Sequence, residues 1–376
     1  MVLGSAPDFR RAGVARYAYG LIDALADRCD DSHEFHVFVL PSFEVPKKWL
    51  AAHGFRIHRC WHRYSRWNLV AAGPIARSLG LDFYFSTAHT VPIMTRIPRG
   101  LMVHDLFPIR HPEWFPEGHA RFSRSVLPKS CRWSSLVFAN SEATRRDLEN
   151  VLRVDPKKIV VTPLGRGGSL ARGKKPEREH LRALAIPFRR YLLTVGTLEP
   201  RKNLEGLLRA FAGLSGPEAH GLGLVVAGGR GWMYERSLAL IDELGLQSRV
   251  RELGYVPDEA LPELYAGCEL FVYPSFEEGF GFPIIEAMQA GAPVVCSRGG
   301  SLAEVGGSAA RFFDPHDIGS IREGIQEGLN DPDRQGWIER GFRNAERFDW
   351  AATADLTLGA IDSFLDCRSG NTMSSG

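Results

Sequence analysis

The second half of the chain alternates two kinds of segment. YLLTVGT (191–197), LGLVVAGG (222–229), LFVYPS (270–275) and APVVCS (292–297) are short runs that are apolar at nearly every position. Helical patterns follow them at 204–214, 234–245, 283–290 and 301–306, and VRELGYV precedes another at 258–267. A strand apolar on both faces is buried on both faces, so this alternation predicts a parallel sheet covered by helices, a doubly wound α/β unit.

The first half repeats the signal less cleanly. Helical periodicity runs from Val14 to about Ala26, with Tyr17, Leu21, Ile22 and Leu25 on one face. Strands are predicted at FHVFVL (35–40), DFYFSTA (82–88), GLMVHD (100–105), LVFANS (136–141) and KIVVTPLG (158–165). Only MVLGSA offers a first strand, which should be short or truncated. The Gly-rich, basic segment 165–180 reads as a linker. The chain therefore divides into an N-terminal domain, 1–170, and a C-terminal domain, 171–348. A helix over 349–366 is expected to pack back on the N-terminal domain, and 367–376 to form a disordered tail. Two such Rossmann-like domains place ligand crevices at the carboxyl ends of their strands, with an active site expected in the cleft between them.

Composition narrows the class. A chain of 376 residues suits two domains, and a net charge of +2 carries no global signal for nucleic acid. The six cysteines are scattered without a CxxC pair, which excludes a zinc ribbon or a disulfide framework and fits reduced thiols. No apolar run approaches a membrane span, and the first residues lack the apolar stretch of a signal peptide, so a cytoplasmic location is expected.

Two segments carry candidate chemistry. In SFEEGFGFPIIEAMQAGAPVV (275–295) a strand runs into a loop holding Gly279 and Gly281, and a helix begins at about Pro283. Glycines let the backbone approach a ligand, and a helix N-terminus favours an anion. Glu278 lies in that loop. Glu286 lies one turn inside the helix, where a carboxylate can accept hydrogen bonds from vicinal hydroxyls. An arbitrary pair of glutamates is mostly just exposed; the Gly-x-Gly-x-Pro context at a strand–helix turn favours a site. In VGTLEPRKNLEGLLRAF (195–211) the strand ends at Thr197, a proline turn presents Arg201 and Lys202, and Asn203 can cap the next helix. Adjacent Arg and Lys at a strand's carboxyl end suit a diphosphate, although a solvated basic turn is the commoner occurrence. His104 ends a strand of the first half, and Asp105 could fix its tautomer; a structural histidine is the plainer alternative.

Other signals weigh less. Asp331-Pro332-Asp333 reads as a turn rather than a metal motif. His58, Cys60 and His62 lack a fourth ligand. Gly279-Phe280-Gly281 lacks the third glycine of a dinucleotide fingerprint. Residues 45–81 contain seven Lys/Arg and no Asp/Glu, with Trp49, Trp61, Tyr64 and Trp67 interleaved. This is a solvated face with buried aromatics or a surface for an anionic lipid-linked acceptor or membrane, with nucleic acid a weaker third choice because no nucleic-acid motif accompanies it.

GTLEPRKNL, AGGRG and the long block from LGYVPDEALPELYAGCELFVYPS through the Glu-x7-Glu segment resemble the retaining family 4 glycosyltransferases with the GT-B fold. The resemblance extends through GVARYAYGLIDAL, VHDLFPIRHPEWFP, ANSEATRRDL, VTPLG and SLAEVGGSAARFFDP, and leans to the mannosyltransferase-like branch. It implies a nucleotide-diphosphate sugar as donor, GDP-mannose best, and a polysaccharide or lipid-linked saccharide acceptor, with no metal, no cofactor and no nucleic-acid partner. Glu286 would bind ribose hydroxyls. Glu278 would lie near the donor sugar, with Gly279, Phe280 and Gly281 offering backbone N–H groups. Arg201 and Lys202 would hold the diphosphate, Tyr255 and Val256 would edge the base, and His104 would contact the transferred sugar. Gly13 would approach the diphosphate from the N-terminal domain, which would bind acceptor while the C-terminal domain binds donor. Retention would need no enzymatic nucleophile. Where many relatives read Gly-Arg, this chain has Gly196-Thr197, so phosphate binding would rest more on Arg201 and Lys202. The basic and aromatic stretch 45–81 separately raises the expectation of a peripheral contact at the inner membrane face. A GT-B-type epimerase or phosphorylase is the alternative enzyme, and a non-catalytic sugar-nucleotide binder a third class.

Overall fold

The computed structural model describes all residues except 1, 4–12, 29–31, 61–66, 168–183 and 374–376. The chain forms two compact units. One comprises residues 1–112, 117–165 and 348–376; the other comprises 113–116 and 166–347.

The second unit is built on one parallel sheet. Its strands are β8 (Arg190–Val195), β9 (Leu222–Ala227), β10 (Val250–Gly254), β11 (Leu270–Tyr273), β12 (Val294–Ser297) and β13 (Ala310–Phe313). They lie in the order β10-β9-β8-β11-β12-β13. Counted from β8, that is the 3-2-1-4-5-6 order of dinucleotide-type sheets, so the winding reverses between β8 and β11. The chain leaves these two neighbours in opposite directions, which opens a crevice at their carboxyl ends. β9, β11 and β12 are buried at every residue, as the unbroken apolar runs predict. Leu192, Leu224, Val272 and Val295 meet Leu207, Phe211, Ile321 and Ile325 of the covering helices in one core. Full burial of each such side chain contributes about 1.5–3 kcal/mol.

In the first unit the described strands form two parallel sheets. β1 (Val2–Leu3), β2 (Phe35–Val39) and β3 (Phe55–Arg59) make one; β4 (Tyr84–Ser86), β5 (Arg99–Val103), β6 (Leu136–Ala139) and β7 (Ile159–Val161) make the other. β1 has two residues. The sequence pattern had not indicated β3, FRIHR, whose pleat alternates Phe55 and Ile57 with Arg56 and His58.

The C-terminal helix differs from expectation. It spans Trp350–Met373, so the expected break at 366 does not occur and the tail is helical as far as Met373. Within the first unit this helix packs along the helix Gly13–Ala26. Its Asp355 pairs with Arg28, and the Thr353 hydroxyl donates to the Pro163 carbonyl at 2.6 Å.

The basic stretch also resolves differently. Trp49 is wholly buried, and its indole N–H donates to Asp23 at 3.0 Å. Lys48 bridges Asp23 and Asp27, Arg56 pairs with Glu34, and Arg59 donates to the Pro41 carbonyl. Trp61, His62 and Tyr64 lie outside the described residues, as does the side chain of Trp67. Cys60 sits in a hydrophobic core. Asp331-Pro332-Asp333 is the turn expected, with Asp333 capping the helix Arg334–Ala345.

Candidate functional site

The site grows from the two loops that leave β8 and β11. After β8 a 3-10 turn, Pro200–Lys202, ends at Asn203 in a left-handed conformation with φ 52°. The Asn203 side chain accepts from Gly206 N–H, capping the next helix, and donates to the carbonyls of Pro274 and Pro315. It thereby ties the basic turn to the end of β11. After β11 the 275–281 loop is gripped from the segment following β12. Ser301 is fully buried, and its hydroxyl donates to the Glu278 carbonyl at 3.0 Å and the Phe280 carbonyl at 2.8 Å.

These loops bring four charges together. Glu278 accepts from Lys202 Nζ at 2.6 Å with one oxygen and pairs with Arg201 at 2.5 Å with the other. Arg201 also pairs with Glu199 at 2.5 Å and donates to the Glu277 carbonyl at 2.9 Å. Tyr273 Oη lies 2.8 Å from Lys202 Nζ and donates to Glu278 at 2.9 Å. Burial opposes ionisation of Glu278, but Arg201 and Lys202 outweigh it and hold the carboxyl down to about 2. Burial draws the Lys202 ammonium below the ordinary lysine value, with Glu278 pulling the other way.

Glu286 belongs to a different contact. It lies in the helix Phe282–Ala290, where all but Pro283 are buried, and accepts from Tyr265 Oη at 2.9 Å. A carboxylate in so apolar a helix costs desolvation, which the Tyr265 hydrogen bond offsets. Gly279, Phe280 and Gly281 are buried in the loop between the two glutamates, and Gly281, at φ 101°, caps that helix. Thr197 is exposed after β8; Tyr255, exposed, and Val256, buried, follow β10. Since the strands are parallel, all these candidates stand on the same edge of the sheet. Residues 113–116 pack in this unit as well: Trp114 stacks on Phe276, and its carbonyl accepts from the Trp232 indole at 2.7 Å.

The sequence reading missed Tyr273, Glu199, Tyr265 and Ser301. Tyr273 is hidden inside an apolar strand, although a hydroxyl at a strand's last position is a usable signal. Ser301 is visible only as the end of a Gly-Gly-Ser turn.

In the first unit His104 follows β5 and is buried. Its Nε2 donates to the Thr87 carbonyl at 3.0 Å, and its ring meets Tyr17 edge-on at 5.1 Å. This corrects the expected tautomer partner: Asp105 instead accepts from the Phe107 N–H. Gly13 is exposed at the start of the helix Gly13–Ala26. Burial, reinforced by His89, lowers the His104 pKa to about 3, and burial lowers His89 too.

A pH dependence of stability follows. An unfolded histidine takes up its proton below about 6.5, whereas folded His104 does so only at about 3. Unfolding therefore binds a proton between those values. Stability should be level above pH 6.5 and fall by about 1.4 kcal/mol per unit per group below it. Glu278, at about 2 when folded, adds a second loss of stability as pH falls below 4.5. Urea midpoints measured from pH 7 to pH 4 should show the upper slope, and His104→Asn should reduce it, His89 supplying part of the remainder; an unchanged slope would contradict the burial of a neutral imidazole.

A doubly wound parallel sheet with a buried Arg201–Lys202–Glu278 cluster at its switch point places these residues at the crevice where open α/β sheets take their ligands. Residues 11–166 match the family model for Glycosyltransferase Family 4, and residues 177–344 match that for Glycosyl transferases group 1. O-antigen chain mannosyltransferase B of Escherichia coli is 36% identical over 262 residues, 68% of each chain. The serotype-specific mannosyltransferase WbdA of Escherichia coli is 30% identical over 275 residues, 69% of this chain but only 32% of that larger protein. Among solved structures, Anabaena Alr3699/HepE in complex with UDP and glucose superposes with a TM-score of 0.71 at 19% identity, covering 96% of this chain and 98% of that one. The chain belongs to glycosyltransferase family 4, with the GT-B fold and a mannosyltransferase-like character.

Proposed function

We propose that the protein is a retaining mannosyltransferase that takes mannose from GDP-mannose and adds it to a polysaccharide or lipid-linked saccharide. The observation that carries this is the buried Arg201–Lys202–Glu278 cluster at the switch point of the C-terminal sheet. The two cations neutralise charge as the diphosphate leaves, which is the stabilisation a transition state of this kind needs most. They supply what a bound metal would otherwise supply, so transfer proceeds without one. Glu286, held by Tyr265, takes the ribose hydroxyls. Gly279, Phe280 and Gly281 face the phosphates and sugar with backbone N–H groups, Tyr255 and Val256 edge the base, and Thr197 and Gly13 adjoin the diphosphate.

Retention follows from reaction on one face. The bond from the sugar's anomeric carbon to the phosphate oxygen breaks, and the acceptor oxygen bonds to the same face. The acceptor's proton passes to the departing phosphate oxygen. His104, neutral and donating from Nε2, serves as a positioning contact for the sugar rather than as a cationic acid. The mannosyltransferase names of the two Escherichia coli relatives support the sugar. The acceptor class implies work at a membrane surface.

Purified protein should transfer mannose from GDP-mannose, but not hexose from UDP- or dTDP-donors, to a mannose-terminated saccharide, and should do so in excess chelator. Glu286→Ala should raise the KM for donor at least tenfold, the order of loss for a charge-assisted hydrogen-bond pair. Isomerisation of a donor without acceptor, or binding without turnover, would overturn the reading.

A further inference from the structure

The carboxyl edge of the first unit's four-stranded sheet holds a second histidine that the reaction above does not use. Because β4, β5 and β6 are parallel neighbours, the residues that follow them share that edge. His89 follows β4, His104 follows β5 and Asn140 follows β6. The two imidazoles stand 5.8 Å apart between ring centres. Both are firmly mounted. The Ser86 hydroxyl and the amide of the buried Asn68 each donate to the Thr90 carbonyl at 2.6 Å, which fixes the turn carrying His89. The Asn140 amide donates to the His104 carbonyl at 3.0 Å.

Hydrogen bonding assigns a proton to each ring. A neutral imidazole has one N–H and one bare nitrogen. The backbone N–H of His104 can only donate, and it meets His89 Nε2 at 3.4 Å, so that nitrogen is bare and the His89 proton sits on Nδ1. The Thr87 carbonyl can only accept, and it lies 3.0 Å from His104 Nε2, so that nitrogen carries the proton and His104 Nδ1 is bare. Burial is the main influence keeping both rings neutral; Asp105 pulls His89 the other way, and His119 opposes Asp105. The two rings therefore hold opposite tautomers.

What is left over is one acceptor and one donor. Among the described residues neither His104 Nδ1 nor His89 Nδ1 has a hydrogen-bond partner, and neither belongs to the polar atoms sealed from solvent, so both open at the sheet edge. A polar group kept for structure alone is normally satisfied within the protein. The pair is chemically selective. A phosphate, with acceptor oxygens only, would need donors at both positions, and an ammonium group would need acceptors at both. Neighbouring hydroxyls of a sugar ring satisfy one of each, because a hydroxyl donates once and still accepts. Neutral rings also leave no charge to draw an ion.

We propose that His89 and His104 form one saccharide-binding pair, in which one sugar hydroxyl donates to His104 Nδ1 and a second accepts from His89 Nδ1–H. His89 is thereby a further sugar-contacting residue. The identity of the sugar as mannose rests on the proposed function; the hydroxyl chemistry rests on the two rings.

Two measurements on the full chain test this without turnover. Long-range proton–nitrogen correlation spectra of protein with isotope-labelled histidine should show the Nδ1–H form for His89 and the Nε2–H form for His104 at neutral pH. Each signal is assigned by its loss in His89→Asn or His104→Asn. The same tautomer on both, or a charged ring, would overturn the pair whatever the enzyme transfers. Calorimetric titration with methyl α-mannobioside, standing for the acceptor, and separately with GDP-mannose, carrying the transferred sugar, then reads the contact. Asparagine places an amide N–H where His89 Nδ1 lies, whereas glutamine reaches only the Nε2 position. His89→Asn should bind within about threefold of wild type, and His89→Gln and His89→Ala about tenfold more weakly. The ligand that is weakened identifies which sugar lies there. All three variants should keep the wild-type circular dichroism spectrum. Wild-type affinity for both ligands in His89→Ala would overturn the contact. Loss in His89→Asn with retention in His89→Gln would overturn it too, leaving His89 as a support for the His104 backbone. Binding in the expected pattern without mannose transfer would overturn the proposed function alone, and wild-type protein that binds neither ligand would overturn both.

Discussion

Lys202→Ala should lower the rate of sugar transfer about 10²–10³-fold at saturating donor, the cost of removing one preorganised group aimed at developing charge. The fold should survive. Glu278 keeps its second partner, Arg201, at 2.5 Å, so no carboxylate is left buried and unpaired. What changes is charge. Glu199, Arg201, Lys202 and Glu278 cancel formally, and without the lysine the group carries a negative charge where, in the proposed reaction, the diphosphate separates. Radiolabelled transfer and a thermal melt on the same preparation check both halves. Wild-type turnover in this variant would remove the cluster from the reaction.

Gly299→Ala should cost about 3 kcal/mol of stability and most of the activity. A Cβ on Gly299 would overlap the carbonyl oxygen of Phe276, which is backbone and has no rotamer by which to move aside. The segment 298–301 must then shift, and with it Ser301, whose hydroxyl holds the Glu278 and Phe280 carbonyls. Displacement of a catalytic constellation by about 1 Å costs on the order of 10²-fold in rate. Gly118→Ala, where a Cβ meets nothing within 4 Å, is the control and should be near neutral. Urea denaturation gives the first quantity and transfer assays the second.

The legible parts of this fold are those whose environment is uniform. β9, β11 and β12 announce themselves because both of their faces are buried. β3 and β13 do not, since FRIHR and ARFF carry arginines on half-exposed strands. Trp49 was read beside its basic neighbours, yet the partner of its indole, Asp23, lies on another helix, and such pairing across the chain leaves no mark on local composition. The same limit governs the site. Arg201, Lys202 and Glu278 could be nominated from their turns, but their meeting depends on β8 and β11 being adjacent, which follows from strand order and not from either motif. Tyr273 is half-hidden for a related reason: a hydroxyl at the end of a buried strand can be seen along the chain, but only the folded sheet turns it toward Lys202 and Glu278.

The cancellation of charge around Glu278 shapes what the protein ignores. A bare pair of buried cations would hold any small phosphate it met and be titrated by the ions of the medium. Here the cations are already answered, so an incoming anion must exchange with a carboxylate rather than fill a vacancy. Single phosphates gain little from that exchange, whereas a diphosphate anchored elsewhere by its nucleoside arrives with the exchange partly compensated. Under the proposed function, selectivity for the whole donor over its fragments would follow from the resting network itself.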